Sequence, residues 1–382
     1  MRSTVGLLFA AIAASFLNLF LQLPLTPVLA RSLSQDLTAV AFAVSAYSIA
    51  NLVGNLFAGL VVDRFHPVPV MAGGLLAGGL ALLALGEVGS IGWLAGCMML
   101  NGLALSIVTP AAYAMLARVL PAEVRARGMA SSGALIGLAA LIGPPLAGGL
   151  GDRLGQVGAY RVIGMALVAV AVALLIGLRR APRIEQSNVG LGDLVTVLAE
   201  PALLPAYLAA FALMFANGSL VFILPPLVRG MGVSGAMTGA LFSAFAITAI
   251  AVFLSPAGRR AYQGGAGHLM SLGAAVVALA LVGLSIAPGL VTMAIAMGVY
   301  GIGFGMIFPA ALATLVAGAH EDRRGSAFGL FYAFFSLGAI AGPFTLARFV
   351  GSPISPFLVA AVVPAVFAAI ASRRRPAPAT EP

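Results

Sequence analysis

The stretch VGLLFAAIAASFLNLFLQLPLTPVLA, Val5–Ala30, reads as one helix crossing a lipid bilayer. It carries no charge, and at 1.5 Å per residue it is long enough for a hydrocarbon core of roughly 30 Å. Its residues Asn18, Gln22 and Thr26 recur at steps of four and share one helical face. A polar side chain inside a membrane is costly and must face protein or a water-filled path. A rival reading is a secretory signal peptide, with Arg2 in front and Val28-Leu29-Ala30 as its cleavage site. Asn18, Gln22, Pro24 and Pro27 make a poor signal core, so the stretch is taken as the first of a set of spans.

The rest of the chain repeats this pattern. Apolar runs follow at Leu37–Val62, Val70–Val88, Ile91–Val119, Gly128–Leu150, Arg161–Leu178, Ala202–Val228, Ala236–Pro256, His268–Ala287, Leu290–Val316, Gly325–Phe349 and Ser352–Ala371. The 382 residues are 61% hydrophobic and 8% charged, against roughly 25% charged in a soluble domain. Such a surface cannot be solvated by water alone. The expected fold class is therefore an all-α polytopic membrane protein of twelve spans, with no extramembrane domain and no soluble enzyme. One cysteine, Cys97, excludes an internal disulfide and a cysteine metal cage.

All 20 basic residues are arginine, giving a net charge of +9. They lie in short connections rather than on one solvated face, which argues against a nucleic-acid partner. With the N-terminus inside, 15 arginines fall on the cytoplasmic side and 5 outside. That bias predicts an inner-membrane protein with both termini cytoplasmic. The polar stretch after span six divides the chain into a half at 1–180, a cytoplasmic linker at 181–200, a half at 201–371 and a disordered basic tail at 372–382.

Shifting the chain by 199 residues superposes its two halves. Phe16 meets Phe215, Asn18 meets Asn217, Pro27 meets Pro226, Gly59 meets Gly258, Gly102 meets Gly301 and Pro110 meets Pro309. Arg125 meets Arg324, and Gly143-Pro144 meets Gly342-Pro343. Parallel repeats of six helices are an architecture of secondary transporters, with the substrate site between the repeats. A weaker echo lies inside the first half, where Gly59-x-x-x-Asp63-Arg64 is matched by Gly148-x-x-x-Asp152-Arg153 at an offset of 89.

Over roughly residues 5–371 the chain resembles the major facilitator superfamily. Gly59-Leu-Val-Val-Asp63-Arg64-Phe65 is similar to the start of that family's loop 2–3 signature. The likeness fails at His66, Pro67, Val68 and Pro69, where the family has glycine and a basic run. The second copy keeps Arg259 and Arg260 but has Tyr262 at the acid position, so an acid-based gate would be one-sided. Gly143-Pro144-Pro145-Leu-Ala-Gly148-Gly149 resembles the Gly-Pro signature of the family's drug-exporting antiporters, its glycine pair one residue late.

On these grounds Asp63 is expected to face the N-terminus of span 11 near Gly325, where unsatisfied N–H groups carry partial positive charge. The other reading is a solvated loop acid beside Arg64. Arg125 and Arg324 would anchor the matching loops to carboxylates or to headgroups. Gly143, Pro144, Gly342 and Pro343 would bend their spans and allow close backbone approach.

The polar groups outline a cavity. Span 2 aligns Tyr47, Asn51, Asn55 and Gly59 on one face, and span 4 aligns Asn101, Thr109 and Tyr113. Asn217 repeats Asn18 in span 7. At the matching places of the second half stand Tyr300, Phe304 and Phe308, with Phe328, Phe331, Tyr332, Phe334 and Phe335 added on span 11. One half offers amides and hydroxyls, the other aromatic walls. This suggests an amphipathic substrate, its polar end on Asn18, Gln22, Asn51 and Asn101 and its body on Phe304, Phe308 and Tyr332. The other reading has these amides only joining neighbouring helices.

None of the 11 acids lies in the middle third of a span. Proton coupling would then use Asp36, Asp63, an acidic substrate, or nothing, and no cofactor is called for. His66, His268 and His320 share no helix face with acids, so no metal site is readable. A nucleotide loop of the Gly-x4-Gly-Lys type needs the lysine this chain lacks. The expectation is a monomeric transporter working by alternating access, exporting a small amphipathic molecule across the lipid bilayer. Uptake or facilitated diffusion of a neutral hydroxylated nutrient is the alternative, and a membrane scaffold or receptor without flux the alternative of another class.

Overall fold

The computed structural model describes residues 2–120, 122–178, 197–255, 266–320 and 324–373. Among these no strand occurs. The helices are α1 (Arg2–Leu33), α2 (Leu37–Arg64), α3 (Pro67–Leu83), α4 (Ile91–Ser106), α5 (Val108–Val119) and α6 (Ala122–Gly177). They continue as α7 (Leu204–Gly230), α8 (Gly235–Leu254), α9 (Ala266–Ser285), α10 (Leu290–Gly318), α11 (Arg324–Leu346) and α12 (Pro356–Arg373). Most of the linker and most of the basic tail lie outside the described residues, as do Arg259, Arg260 and Tyr262.

Helix starts follow local chemistry. Asp36 accepts the Thr38 N–H at 2.9 Å, and Ser90 Oγ accepts the Trp93 N–H at 3.2 Å, each relieving a donor the helix cannot satisfy. Pro67 opens α3, where a missing N–H costs nothing. Among the described residues ten helices are long and apolar enough to cross a membrane. One of them, Leu135–Gly177, runs 43 residues, about twice what a bilayer needs. It breaks at Gly155, whose φ of 71° favours a residue without Cβ. Taken as spans 5 and 6, and with the shorter Pro356–Ser372 added, it completes twelve crossings.

Span 4 shows a local irregularity. Ile91–Leu116 still runs as one membrane-spanning stretch, but its hydrogen bonding is interrupted for one residue at Ile107, which keeps helical dihedrals (φ −88°, ψ −18°) and divides α4 from α5. Pro110 removes the bond its N–H would make to Ser106 and crowds that carbonyl. The matching Pro309 lies inside a continuous α10. Glycine at position 305, one turn before it, lets α10 lie close against Ala249 and Val252 of α8.

The chain forms two compact units. The first holds Met1–Gly190, Val221–Ser243 and Pro343–Arg348, and the second Leu191–Leu220, Ala244–Gly342 and Phe349–Pro382. In the first, α1 lies along α6, α2 along α4, and α3 along both α4 and α6. In the second, α9 is packed by α10 and α12, with Ser271 Oγ donating to the Ala368 carbonyl at 2.9 Å.

Candidate substrate site and closure contacts

One buried amide organises the polar groups of the first unit. Asn18 and Gln22, one turn apart on α1, donate through Nδ2 and Nε2 to Asn101 Oδ1 at 3.1 and 3.0 Å. Asn101 Nδ2 donates to the Gly78 carbonyl of α3 at 3.0 Å. Asn101 is 0% exposed and thus joins α1, α3 and α4 away from lipid. Asn18 is 1% exposed, and its Oδ1 has no hydrogen-bond partner. Reversing the Asn18 amide would set two carbonyl oxygens against each other, so the free group is an acceptor. The third member of the α1 stripe, Thr26, shares a 2.6 Å hydroxyl contact with Tyr160 of α6.

The α2 stripe is also engaged. Asn51 Nδ2 donates to the Gly102 carbonyl at 3.2 Å, and Asn55 Nδ2 donates to Asn51 Oδ1 at 2.9 Å. Tyr47 is half-buried, and its backbone lies where a side chain at position 102 would have to go. Thr109 and Tyr113, further along the same span on α5, are both half-buried.

The second unit carries a continuous aromatic wall. Phe304 and Phe308 stack at 5.8 Å on α10, and Phe304 meets the edge of Phe245 at 5.0 Å. Phe308 contacts Phe331 at 6.1 Å and Phe335 at 6.3 Å on α11. Tyr332 is 40% exposed and edge-on to Phe331. Tyr300 is fully buried, its hydroxyl donating to the Leu213 carbonyl at 3.4 Å. Half-buried Asn217 donates to the Met214 sulfur at 3.9 Å. Phe245 and Phe253 of α8 were missed from sequence. Phe245 meets Phe304 at 5.0 Å, and Phe253 lies 6.5 Å from the same ring.

The Gly-Pro stretch of α6 forms a seam inside the first unit. Gly143 lies against Phe20 and Leu17 of α1. On another side, the Pro144 carbonyl touches Gly239, and Gly148 touches the backbone of Gly235, both on α8. A Cβ at position 148 or 239 would collide with main chain. Ser243 Oγ donates to the Leu141 carbonyl at 2.6 Å. Where the glycines end, Asp152 Oδ1 accepts the Gly235 N–H at 2.8 Å and Oδ2 accepts the Ala236 N–H at 3.0 Å. In the second unit Gly342 lies against the Phe215 carbonyl and Ser219 of α7, one residue before Pro343.

The side chains of Gly59, Asp63, Arg64, Arg125 and Arg324 lie outside the described residues. Asp152 itself makes a contact of the kind expected of Asp63, a carboxylate on a helix N-terminus distant in sequence. The signal for it was the Gly148-x-x-x-Asp152-Arg153 echo. Among the described residues no three His, Cys, Asp or Glu come together as a metal site would require.

The sequence model of the Major Facilitator Superfamily matches residues 8–343, and again 206–382. The chain belongs to the major facilitator superfamily. It is a multi-pass membrane protein of a transporter family. Relatives include Multidrug resistance protein 1 of Bacillus subtilis, 26% identical over 172 residues, which cover 45% of this chain and 44% of the relative. The multi-drug resistance efflux pump PmrA of Streptococcus pneumoniae is 27% identical over 224 residues, covering 56% and 55%. The chain thus matches about half the length of these relatives.

Solved structures share the fold of this superfamily member at low identity. A bacterial homologue of the human lysosomal transporter Spinster, inward-facing and occupied, has a TM-score of 0.78 at 14% identity, covering 97% of this chain and 96% of its own. The human organic anion transporter MFSD10 has a TM-score of 0.70 at 18% identity, covering 97% and 99%.

Proposed function

We propose that this protein is a secondary active transporter that exports a small amphipathic compound across the cytoplasmic membrane by alternating access. The observation that carries the reading is the buried amide cluster of Asn18, Gln22 and Asn101, an uncharged polar site in lipid with an unpaired acceptor at Asn18 Oδ1. Such a site suits the hydroxyl or amine end of a substrate. The aromatic wall of Phe245, Phe304 and Phe308 supplies apolar area and ring faces that attract a cationic centre. The relatives' names, multidrug resistance protein and efflux pump, support export.

The arginine bias supports cytoplasmic termini. In this reading residues 1–180 and 201–371 are the two moving halves of a monomer, and 181–200 is their cytoplasmic tether. The acids available for proton coupling lie outside the span interiors. Asp36 is exposed and caps α2.

The test is a drug-susceptibility panel in an efflux-deficient host, with counterflow in liposomes carrying an internal pH dye. Raised resistance to amphipathic compounds, lost in Asn18→Leu, supports export. Uptake of a neutral polyol or sugar instead would favour the nutrient reading, since uncharged amides also match hydroxyl groups. Counterflow with no compound would leave the scaffold reading.

A further inference from the structure

The seam between α6 and α8 is closed by two kinds of contact with different mechanical character. Glycine against backbone, at Gly148–Gly235 and Pro144–Gly239, permits closeness but resists little sliding. The Asp152 carboxylate has a geometry that sliding destroys, because each oxygen is aligned on one of two successive N–H groups. Beyond about 3.5 Å these bonds no longer exist.

Helix α8 does not need Asp152 for an ordinary cap. Ser234 Oγ already accepts the Met237 N–H at 3.2 Å, and the Ser234 carbonyl accepts the Thr238 N–H at 3.1 Å. What remains at a helix start are donors with partial positive charge, and Asp152 takes the first two. Its partners lie 83 and 84 residues away, in the other copy of the repeat. Beside the contact, Leu25, Gly151, Gln156, Pro225, Arg229 and Thr238 help to line a cavity of about 10 Å³, room for a single water. The seam is therefore tight where the carboxylate closes it.

We propose that Asp152 is the latch of this seam, a positioning residue that holds α6 and α8 together in one access state and releases them in the other. The inference rests on the alternating-access reading above. It assigns to the Gly148-x-x-x-Asp152 segment the role that the sequence reserves for Gly59-x-x-x-Asp63.

The chain's single cysteine makes the test direct. In a Cys97→Ser background, Gly149→Cys and Ala236→Cys place two thiols across the seam. A Cβ built at Gly149 lies 3.9 Å from that of Ala236, within the range a disulfide spans. The rate of oxidant-driven cross-linking in native membranes, counted by mobility shift with a maleimide polymer, reports how often the seam is closed. With Asp152 in place the pair closes rapidly.

Asp152→Asn and Asp152→Ala should slow cross-linking about five- to tenfold, the effect of a charge at a helix end. Adding Ser234→Asp to Asp152→Ala supplies a local acidic cap without a tie to α6. If the rate stays slow in that variant, the latch is supported. If Ser234→Asp restores the rate, Asp152 acts only on the helix end and the proposal is overturned. Unchanged cross-linking in inserted, monodisperse Asp152→Ala overturns it as well. Counterflow on the same membranes keeps the two inferences apart. Absence of flux with an Asp152-dependent rate counts against transport, whereas flux with an Asp152-independent rate counts against the latch.

Discussion

Replacing Asn101 by Leu tests how much of the first unit depends on one amide. Leu has the same number and branching of side-chain heavy atoms as Asn, so the perturbation removes hydrogen bonds while keeping the shape of the side chain, though its methyl groups are bulkier. Three are lost, from Asn18, from Gln22 and to Gly78. Hydrogen bonds between membrane helices average about 0.6 kcal/mol, with a maximum near 1.7. The three together contribute about 2 kcal/mol, and about 5 kcal/mol if each is at the maximum. Asn18→Leu removes one bond and also deletes the unpaired Oδ1, so it should cost about 0.6 kcal/mol or less. Gln22→Leu, which removes one bond to Asn101, should fall near Asn18→Leu. The assay is reversible unfolding of purified protein in mixed micelles, with transport measured on the same preparations. The expected order is Asn101→Leu well below Gln22→Leu and Asn18→Leu in stability, with transport lost in Asn101→Leu and Asn18→Leu at normal membrane insertion. An Asn101→Leu protein within about 0.5 kcal/mol of the parent and fully active would refute the hub assignment.

Other changes read different contacts. Gly148→Val drives a side chain into the Gly235 backbone, so substrate turnover should fall at least tenfold while membrane insertion, followed by fluorescence of a C-terminal reporter, is retained. Thr26→Val and Tyr160→Phe each remove half of one buried hydroxyl pair. Each should cost about 1 kcal/mol, and the double variant should cost clearly less than the sum of the two, in the same unfolding assay. Phe308→Ala removes a ring that touches both Phe304 and Phe331. It should raise the apparent KM for an aromatic or cationic substrate roughly three- to tenfold, with a smaller effect on a purely aliphatic one.

The parts of the site differ in how legible they were. The α1 stripe could be read because Asn18, Gln22 and Thr26 advertise themselves at steps of four in an otherwise apolar helix. Their partners could not. Asn101 looked like one more wall residue on span 4, yet it is the shared acceptor of the other two amides. Pro110 and Pro309 are identical in sequence, yet helical hydrogen bonding is interrupted for one residue before the first and continuous around the second, a difference no single position reveals. The aromatic wall was found from α10 and α11 alone. Its α8 members escaped because a phenylalanine in an apolar span carries no mark of which neighbour it will meet.

Span number, polar stripes, the internal repeat and the arginine asymmetry follow from the amino-acid order alone. Each depends on run length, helical period or side-chain charge, which are local properties of a chain in lipid. Partner choice belongs to the folded helices, because it depends on which elements come within about 3.5 Å of one another. The Asn18–Asn101 bond and the Asp152–Gly235 bond each join residues 83 positions apart. No periodicity encodes such a meeting. In Val5–Ala30 the stripe could be seen at once, but folding determined that two of its amides end on one asparagine and leave one acceptor free.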